Sequence, residues 1–388
     1  MVKKPRVGVL FGGRSGEHEV SLLSAASILN AIDRSRFDVV PIGITRQGRW
    51  LAAADAHHLL EGNQSAAARR LRAGDPEATP GAKLLHEGIP TLLAPEPAAD
   101  GSSVSGGGAL DVVFPVLHGT FGEDGTIQGL FELAGIPYVG SGVLGSAAGM
   151  DKDVMKRLFA QAGLPIVRHV TLLRSEWENS PRKTIFRVEA ALKYPVFVKP
   201  ANLGSSVGIT KAHNRRELGP ALTLAARYDR KLIVEAGVGG IRAKAREFEV
   251  AVLGNDNPKA SVVGEIIPGK EFYDYEAKYL AEGSVPVIPA RLSRAESRRI
   301  REMALAAFRA CGLSGLARVD FLMEPGARRR IFINEVNTMP GFTRISMYPK
   351  LWEASGIAYP DLITRLIELA LERQKEKDRT TYSREDEQ

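Results

Sequence analysis

The sequence contains very little cysteine and no long apolar segment. Its one cysteine among 388 residues, Cys311, excludes an internal disulfide. A chain of this kind is typical of a reducing compartment, so we expect a cytoplasmic protein. No apolar run approaches the roughly 20 residues that a membrane-spanning helix needs, so we expect no membrane partner. The N-terminal stretch MVKKPRVGVLFGG lacks an apolar core followed by a small-residue cleavage site, and it therefore predicts no signal peptide.

The chain also lacks the charge pattern of a nucleic-acid-binding protein. The formal net charge is +7, but the basic residues are dispersed among acidic ones. The basic clusters are short, as at 69–70, 298–299 and 328–330. Neither a basic stripe interleaved with aromatic residues nor zinc-finger spacing is present. The charge therefore favours a solvated basic surface, or a site for an anionic ligand such as ATP, and we expect no nucleic-acid partner.

The length of the chain is too great for one typical domain core and predicts two or three domains. In the first region, 1–140, apolar strands alternate with a helix-like segment at 20–32. This alternation predicts a parallel α/β sheet whose ligands lie at the carboxyl ends of the strands. Residues 52–108 are rich in Ala, Gly, Pro and Ser, and we interpret them as a surface elaboration of this domain.

The remainder of the chain has a different pattern, typical of α+β domains. In 141–237, a helix at 151–163 precedes strand-like segments near 167–172, 196–199 and 232–235. In 238–374, longer β segments are interrupted by a helix at 294–311 and followed by one at 360–374. The charged segment 375–388 is expected to be a disordered tail.

Two strand-like segments near the C-terminus carry polar residues on one face. They are LARVDF, residues 316–321, and FINEVNTMPG, residues 332–341. Strand residues alternate faces, and a Pro-Gly turn between the segments predicts a hairpin. The hairpin would bring together Asp320, Glu335 and Asn337, whose oxygen atoms suit Mg²⁺, beside Arg318, which could stabilise negative charge. The alternative, a solvated surface hairpin, is disfavoured because the opposite face is apolar.

A glycine-rich loop follows a predicted buried strand in VFVKPANLGSSVGI, residues 196–209. Glycine N–H groups and serine hydroxyls can hold phosphate oxygens, and Lys199 adds a positive charge. An ordinary flexible loop is an equally good interpretation of this segment alone. In LIVEAGV, residues 232–238, an open strand edge could pair with adenine, and Glu235 could accept its exocyclic amine. Considered alone, Glu235 is more simply interpreted as a charged residue at the end of a strand that points to water.

Two further regions contain candidate binding residues. The segment EFYDYEAKYL, 271–280, has no helix or strand periodicity and resembles a functional lid, with Lys278 and Tyr279 as closing contacts. A surface turn with packed tyrosines is the alternative. The loops GGRSGEHEVS, 12–21, and HGTFGEDG, 118–125, follow two strands of the first domain. Glu17 and His118 could therefore face each other and bind an amino acid.

The stretch YVGSGVLGSAAGMDK, residues 138–152, contains the pattern G-x-G-x-x-G of dinucleotide-binding turns. A dehydrogenase would need an acidic residue about 20 positions further on. Pro165 occupies that position and its neighbours are apolar. We therefore interpret these glycines as shaping the turn that leaves the first domain and the entry to the next helix.

Taken in order from about Val7 to about Leu371, these motifs resemble the D-alanine–D-alanine ligases of the ATP-grasp superfamily. The shared segments are GGRSGEHEVS, HGTFGEDGTIQG, GMDK, VKPANLGSSVG, YDYEAKY, RVDF and NEVNTMPGFT. The resemblance implies three domains, an N-terminal parallel-sheet domain and two ATP-grasp subdomains that hold ATP between them. It also implies that ATP phosphorylates one D-alanine, that a second D-alanine attacks the acylphosphate, and that the dipeptide serves peptidoglycan synthesis.

The resemblance also implies roles for individual residues. ATP would be bound by Lys152, Lys199, Lys278, Glu235, Ala236, Val238 and Glu247. Glu249 remains an alternative to Glu247 for the ribose, because this chain inserts GGIRAKAR before these acids. Two Mg²⁺ ions, which Mn²⁺ can replace, would be held by Asp320, Glu335 and Asn337.

On the substrate side, the resemblance implies that Glu17 binds the first ammonium group and closes the lid through Ser205 and Tyr279. His118 would bind the carboxylate region of that substrate. Arg318 and the Gly341 N–H would stabilise the oxyanion, and Ser346 and Met347 would line the second site. The EAKY segment favours an amino acid as second substrate, D-alanine or alternatively D-serine. A homodimer formed through the N-terminal domain is also implied.

Overall fold

A computed structural model of the protein describes residues 3–51, 55–57, 59–60, 109–204, 206–240, 244–268 and 284–381. The predicted elaboration at 52–108 and the lid at 271–280 therefore lie largely or wholly outside the described residues. In the part of the chain that is described, the strands form three sheets, one for each predicted domain. No helix among these residues has the length and apolar character needed to cross a bilayer.

The first sheet confirms the predicted parallel arrangement. Its elements are β1 (Arg6–Gly12), α1 (His18–Ala31), β2 (Asp38–Ile44), β3 (Trp50–Leu51), β4 (Val112–Val116) and α2 (Thr126–Leu133). The order is β3-β2-β1-β4, and β1 pairs in parallel with both β2 and β4, whereas β3 is antiparallel to β2. Since β1 and β4 run in the same direction, the loops that follow them meet at one rim of the sheet.

The second sheet is antiparallel and is preceded by two short helices. The elements are α3 (Val143–Met150), α4 (Lys152–Gln161), β5 (His169–Leu173), α5 (Arg174–Asn179), α6 (Pro181–Ala191), β6 (Val196–Pro200), β7 (Thr210–Ala212), α7 (Arg215–Ala226) and β8 (Lys231–Ala236). Asp151 caps α4 by accepting hydrogen bonds from the N–H groups of Asp153 and Val154. The strand order is β5-β8-β6-β7, so β8 lies inside the sheet.

The third sheet has the order β11-β10-β9-β12-β13 and is antiparallel throughout. Its region comprises β9 (Arg246–Gly254), β10 (Lys259–Pro268), β11 (Ser284–Val287), α8 (Arg294–Ala310), β12 (Gly315–Met323), β13 (Ile331–Asn337), α9 (Met347–Glu353) and α10 (Tyr359–Lys377). A capping box between Ser293 and Glu296 begins α8. The last helix ends at Lys377 rather than at the predicted residue 374, and residues 382–388 lie outside the described chain.

Two helices pack across the predicted domain boundaries. Helix α4 lies in the predicted second region, and its Met155 and Phe159 are buried in the core of the third sheet. Helix α10 shares a core with the first sheet, where Leu362 and Leu366 join Val9. These two helices therefore connect the domains.

Candidate functional site

The two loops at the rim of the first sheet meet as predicted, but His118 is fully engaged by protein atoms. Its Nδ1 lies 2.9 Å from the carbonyl oxygen of Met339, and its Nε2 lies 3.1 Å from Ser24 Oγ. Burial lowers the pKa of His118, which favours a neutral ring that donates to Met339 and accepts from Ser24. The ring fixes its loop to the segment that follows β13. The contact of His118 with a substrate carboxylate stays a prediction.

Glu17 reaches from this rim towards the glycine-rich loop of the second domain. A methyl group at Gly119 would lie 2.4 Å from Glu17 Oε2, and one at Gly204 would lie 2.6 Å from the same atom. These distances are too short for real contacts, so glycine at both positions permits the approach. The predicted partners Ser205 and Tyr279 lie outside the described residues.

Glu123 is a buried site residue that the sequence reasoning did not single out, although it lies in the motif HGTFGEDG. Its Oε2 accepts a hydrogen bond from the Gly119 N–H at 2.8 Å, and its Oε1 accepts one from the Met339 N–H at 2.9 Å. Burial and the nearby Glu17 carboxylate raise the pKa of Glu123 to about 8. Glu123 thus fastens the His118 loop to the same segment that His118 contacts.

The predicted hairpin of β12 and β13 is confirmed. Asp320 lies opposite Glu335, and Arg318 lies opposite Asn337. The Arg318 guanidinium donates two hydrogen bonds to Asp320, each of 2.7 Å, and Asn337 Nδ2 donates to Asp320 Oδ2 at 3.0 Å. Arg318 Nε also lies 3.2 Å from Glu249 Oε2. One guanidinium therefore neutralises part of a dense acidic face.

The chemistry of this face fits Mg²⁺. Asp320 and Glu335 offer carboxylate oxygens from facing strands, and Asn337 offers an amide oxygen on the same side. Among the described residues, no group of three or more His, Cys, Asp or Glu side chains is arranged to hold a metal by itself. That is compatible with Mg²⁺, which commonly binds one or two carboxylates and takes its remaining ligands from substrate phosphates and water.

Glu335 and Asn337 line a cleft together with Glu123, Gly204 and the buried Lys152. A second buried lysine, Lys199, is close enough for its charge to interact with Glu335. Lys152 Nζ donates to the Leu203 carbonyl oxygen at 2.7 Å and lies 4.0 Å from Glu335 Oε2. Lys199 Nζ lies 2.6 Å from Glu235 Oε2. Burial opposes the charge on Lys199, but the surrounding carboxylates, with Glu235 the strongest, together outweigh it and raise the pKa of Lys199 above its ordinary value. Two lysine ammonium groups, each close to a carboxylate, therefore lie at the cleft, and the third predicted lysine, Lys278, lies outside the described residues.

The predicted open strand edge at LIVEAGV is wrong. Strand β8 pairs with β5 on one side and β6 on the other, and the Ala236 N–H donates to the Arg168 carbonyl oxygen at 2.9 Å. Adenine cannot pair with an edge that neighbouring strands already occupy. Val238, which follows the strand, lines a cavity of about 430 Å³ together with Ala236 and Phe332. Glu235 itself is buried.

The two alternative ribose ligands point to the same face of β9, because they are two residues apart. Glu249 is buried and engages Arg318. Glu247 is half-buried, and its charge contributes to the raised pKa of Lys199. This arrangement favours Glu247 for a nucleotide contact and leaves Glu249 to hold Arg318.

The segment after β13 carries the remaining predicted residues. Gly341 lies between Met339, which contacts His118 and Glu123, and Phe342, whose N–H donates to Ser24 Oγ at 3.2 Å. Ser346 Oγ lies 2.7 Å from Thr343 Oγ1. Met347 is buried in the core beneath Gly264, where an added methyl group would lie 2.6 Å from Met347 Cε. Met347 therefore packs behind the wall of this site, and its place in the lining of the second substrate site stays a prediction.

Comparison with known proteins agrees with this architecture. A family model described as "D-ala D-ala ligase N-terminus" matches residues 6–141, and one described as "D-ala D-ala ligase C-terminus" matches residues 158–368. The chain belongs to the D-alanine–D-alanine ligase family. A D-alanine–D-alanine ligase of Heliobacterium modesticaldum is 52% identical over 98% of both chains. One of Natranaerobius thermophilus is 51% identical, again over 98% of each chain.

Solved structures extend the family likeness to the fold. The D-alanine–D-alanine ligase from Coxiella burnetii superimposes with a TM-score of 0.76 at 35% identity, covering 97% of each chain. The VanG D-Ala:D-Ser ligase from Enterococcus faecalis also superimposes with a TM-score of 0.76. It is 36% identical, and the match covers 95% of this chain and 100% of that one. The three sheets of this ligase-family chain are thus those of a three-domain ATP-grasp fold.

In this ligase-family chain the glycine pattern at 140–145 has a packing role. Gly142 precedes α3 as its N-cap residue, and a methyl group at Gly145 would lie 2.6 Å from the Gly312 carbonyl oxygen. Gly145 therefore lets α3 approach the third domain closely. The dinucleotide-binding alternative is excluded by the family, and the expectation that these glycines shape a turn and a helix entry agrees with the geometry.

Proposed function

We propose that the protein uses ATP to join two D-alanine molecules into D-alanyl-D-alanine for peptidoglycan synthesis. The observation that carries the proposal is that three kinds of functional group come together in one cleft. Lys152 and Lys199 supply positive charge, Asp320 and Glu335 supply oxygen ligands, and Glu17 reaches in from the first domain. The names of the relatives, which are D-alanine–D-alanine ligases, support the choice of substrate.

On the nucleotide side, Lys152, Lys199 and Lys278 bind phosphate oxygens, and Glu247 binds the ribose. Glu235 accepts the exocyclic amine of adenine, and the backbone at Ala236 and Val238 borders the base. Asp320, Glu335 and Asn337 hold two Mg²⁺ ions, replaceable by Mn²⁺, which neutralise charge on the transferring phosphoryl group when bound. Phosphoryl transfer needs mainly this positioning and neutralisation.

On the substrate side, the ammonium group of the first D-alanine binds Glu17, while Ser205 and Tyr279 close the lid. His118, Ser346 and Met347 shape the surrounding walls. A carboxylate oxygen of this D-alanine attacks the γ-phosphorus, and ADP leaves. The amine of the second D-alanine then attacks the acyl carbon and loses a proton. Arg318 and the Gly341 N–H stabilise the tetrahedral oxyanion until the phosphate leaves.

Omission assays with the purified protein test the reaction. ADP release should require both D-alanine and Mg²⁺, and excess EDTA should abolish it until Mg²⁺ or Mn²⁺ is restored. Equal ADP release without D-alanine, or with L-alanine in its place, would contradict the proposal. A panel containing D-alanine, D-serine and D-lactate as second substrates would then define the acceptor, for which we expect D-alanine.

We further propose that the enzyme is a cytoplasmic homodimer that associates through the N-terminal domain. A reaction that consumes ATP and a chain with a single cysteine are both compatible with the cytoplasm. Sedimentation velocity at micromolar concentration should give about twice the mass of the chain. A single species with the mass of one chain would contradict the dimer.

A further inference from the structure

Lys156 is a buried lysine to which neither the motifs nor the proposed mechanism assigns a role. It lies one helical turn after Lys152 on α4, so both side chains project from the same face of the helix. Only 1% of the Lys156 side chain is exposed. Its Nζ lies 2.7 Å from Glu235 Oε1 and donates to the Asn334 carbonyl oxygen at 3.3 Å. Lys156 therefore joins the end of β8 to β13, across the two ATP-grasp subdomains.

Glu235 is held by one lysine at each carboxylate oxygen. Lys156 contacts Oε1, and Lys199 contacts Oε2 at 2.6 Å. The two lysines differ in their surroundings, since 11% of the Lys199 side chain is exposed at the strand end that precedes the glycine-rich loop. Lys156 is enclosed beneath the cleft. Lys199 is therefore the better placed of the two lysines to turn to a phosphate.

This difference matters because a buried carboxylate needs a partner. If Lys199 moves to ATP, Glu235 would lose one of its two positive neighbours, and an unpaired buried charge is costly. Lys156 remains in contact with Oε1 and is itself anchored by the Asn334 carbonyl group. The Oε2 atom that Lys199 vacates then becomes available as an acceptor.

We propose that Lys156 is a positioning residue for nucleotide-base selection. It keeps the Glu235 carboxylate charged and oriented after Lys199 turns to the phosphates, so that Oε2 can accept the exocyclic amine of adenine. This inference rests on the proposed role of Glu235. It predicts that the enzyme distinguishes ATP from ITP, which has a carbonyl oxygen in place of that amine, and that Lys156 is needed for the distinction.

The first test is the variant Lys156→Met in the full-length enzyme. We expect the KM for ATP to rise about tenfold or more, as for loss of a hydrogen bond to a charged group. The value of kcat should stay within about threefold, and the ratio of kcat/KM for ATP over ITP should fall about tenfold or more. The variant Lys156→Arg should restore part of that ratio. An unchanged ratio in Lys156→Met would overturn the proposal.

A double variant separates positioning from a general structural role. If Lys156 acts through Glu235, then Lys156→Met combined with Glu235→Gln should have the ATP-over-ITP ratio of Glu235→Gln alone. The double variant also removes the unpaired charge, so it keeps the test available if Lys156→Met does not fold. A further fall in the ratio, beyond that of Glu235→Gln, would contradict action through Glu235.

The matched control is Arg157→Met, the next residue on the same helix, whose side chain is 71% exposed. This variant should leave the KM for ATP and the ratio of kcat/KM for ATP over ITP unchanged. Calorimetry would measure the binding of non-hydrolysable analogues of ATP and ITP in the absence of D-alanine. This measurement separates the inference from the ligase reaction. Selective binding that is lost in Lys156→Met supports it even if D-alanine is not the substrate. Binding without base preference in the unmodified enzyme overturns it.

Discussion

At the residue scale, Arg318 shows how one side chain serves both the resting site and the proposed reaction. It donates two hydrogen bonds to Asp320 and contacts Glu249. If Asp320 binds Mg²⁺ as proposed, Glu249 would still hold the Arg318 guanidinium on this face of the sheet. In the proposed mechanism, Arg318 would then exchange the Asp320 carboxylate for the developing oxyanion while it keeps its contact with Glu249.

Replacing Arg318 with alanine should reduce kcat by about 10²–10³-fold, because the side chain contacts the transition state in the proposed mechanism. The KM for ATP should change only a few-fold. Steady-state kinetics at varied ATP would measure both constants. Arg328→Ala, at an exposed position in the turn of the same hairpin, is the control and should have ordinary kinetics. Equal losses in kcat and in ATP affinity would indicate a structural role for Arg318.

Glu123 gives a prediction about pH. The folded protein keeps a proton on this carboxyl group up to a pKa of about 8, whereas the unfolded chain releases it near 4.5. Unfolding therefore releases a proton between these values, and the free energy of unfolding should fall as pH rises through this window. Because one proton is released on unfolding, the free energy of unfolding should fall by about 1.4 kcal/mol per pH unit.

Urea unfolding of the unmodified protein and of Glu123→Gln at pH 5, 6.5 and 8 would test this effect. Glutamine does not titrate, so the variant should have a flatter pH profile across the window. It should also be less stable at pH 5, because an amide can accept only one of the two backbone hydrogen bonds that Glu123 receives. Parallel profiles for the two proteins would contradict the assignment of the proton to Glu123.

At the element scale, the loops of the cleft depend on close backbone approach. The glycine-rich loop after β6 passes so near Glu17 that a methyl group at Gly204 would be 2.6 Å from its carboxylate oxygen. That oxygen is the end of a flexible side chain, so it can move away at small cost to stability. The geometry of the proposed ammonium site would be lost in the process.

We therefore expect Gly204→Ala to raise the KM for the first D-alanine about tenfold or more, while stability changes by less than about 1 kcal/mol. Initial rates at low D-alanine and a thermal unfolding scan would measure these effects. Gly129→Ala is the control, because it lies in helix α2 with nothing within 4 Å of the added methyl group. It should be neutral or stabilising, since alanine favours helix. An unchanged KM in Gly204→Ala would show that Glu17 does not act from its observed position.

Elements with a clear periodicity could be predicted from the sequence, and elements defined by their neighbours could not. Alternation on β12 and β13 placed Arg318 and Asp320 on one face, because strand geometry is local. Whether β8 lies at the edge or inside its sheet depends on its pairing with β5 and β6. The local sequence LIVEAGV gives no information about that pairing. The contacts of Lys156 and Glu123 are likewise tertiary, so their sequence neighbours gave no signal beyond the motif that contains Glu123.

At the scale of the whole molecule, helix α10 fastens the C-terminal region to the first domain. Arg373 on this helix donates hydrogen bonds to the carbonyl oxygens of Tyr138 and Gly140, and its guanidinium lies 4.4 Å from the centre of the Tyr138 ring. The sequence indicated a terminal helix, but it could not show that this helix packs on the first sheet. Such a contact joins segments more than 200 positions apart, as with Arg373 and Gly140 at a separation of 233.

Arg373→Ala should lower the free energy of unfolding by about 1–3 kcal/mol, because it leaves buried carbonyl groups without a donor. The KM for ATP should stay the same, since Arg373 lies outside the proposed nucleotide site. Denaturant unfolding with parallel kinetics would measure both quantities. The exposed Arg379→Ala, later in the same region, should change stability by less than about 0.5 kcal/mol. Equal stability of the two variants would contradict the anchoring role of Arg373.

The central claim, that the cleft joins two D-alanine molecules at the expense of ATP, is tested most directly by measuring products. The purified protein would be incubated with ATP, Mg²⁺ and D-alanine, and the dipeptide, ADP and phosphate would be quantified in the same samples. The account predicts D-alanyl-D-alanine, ADP and phosphate in equal amounts, and none of the dipeptide from L-alanine. ADP and phosphate without dipeptide, or a dipeptide made equally well from L-alanine, would contradict it.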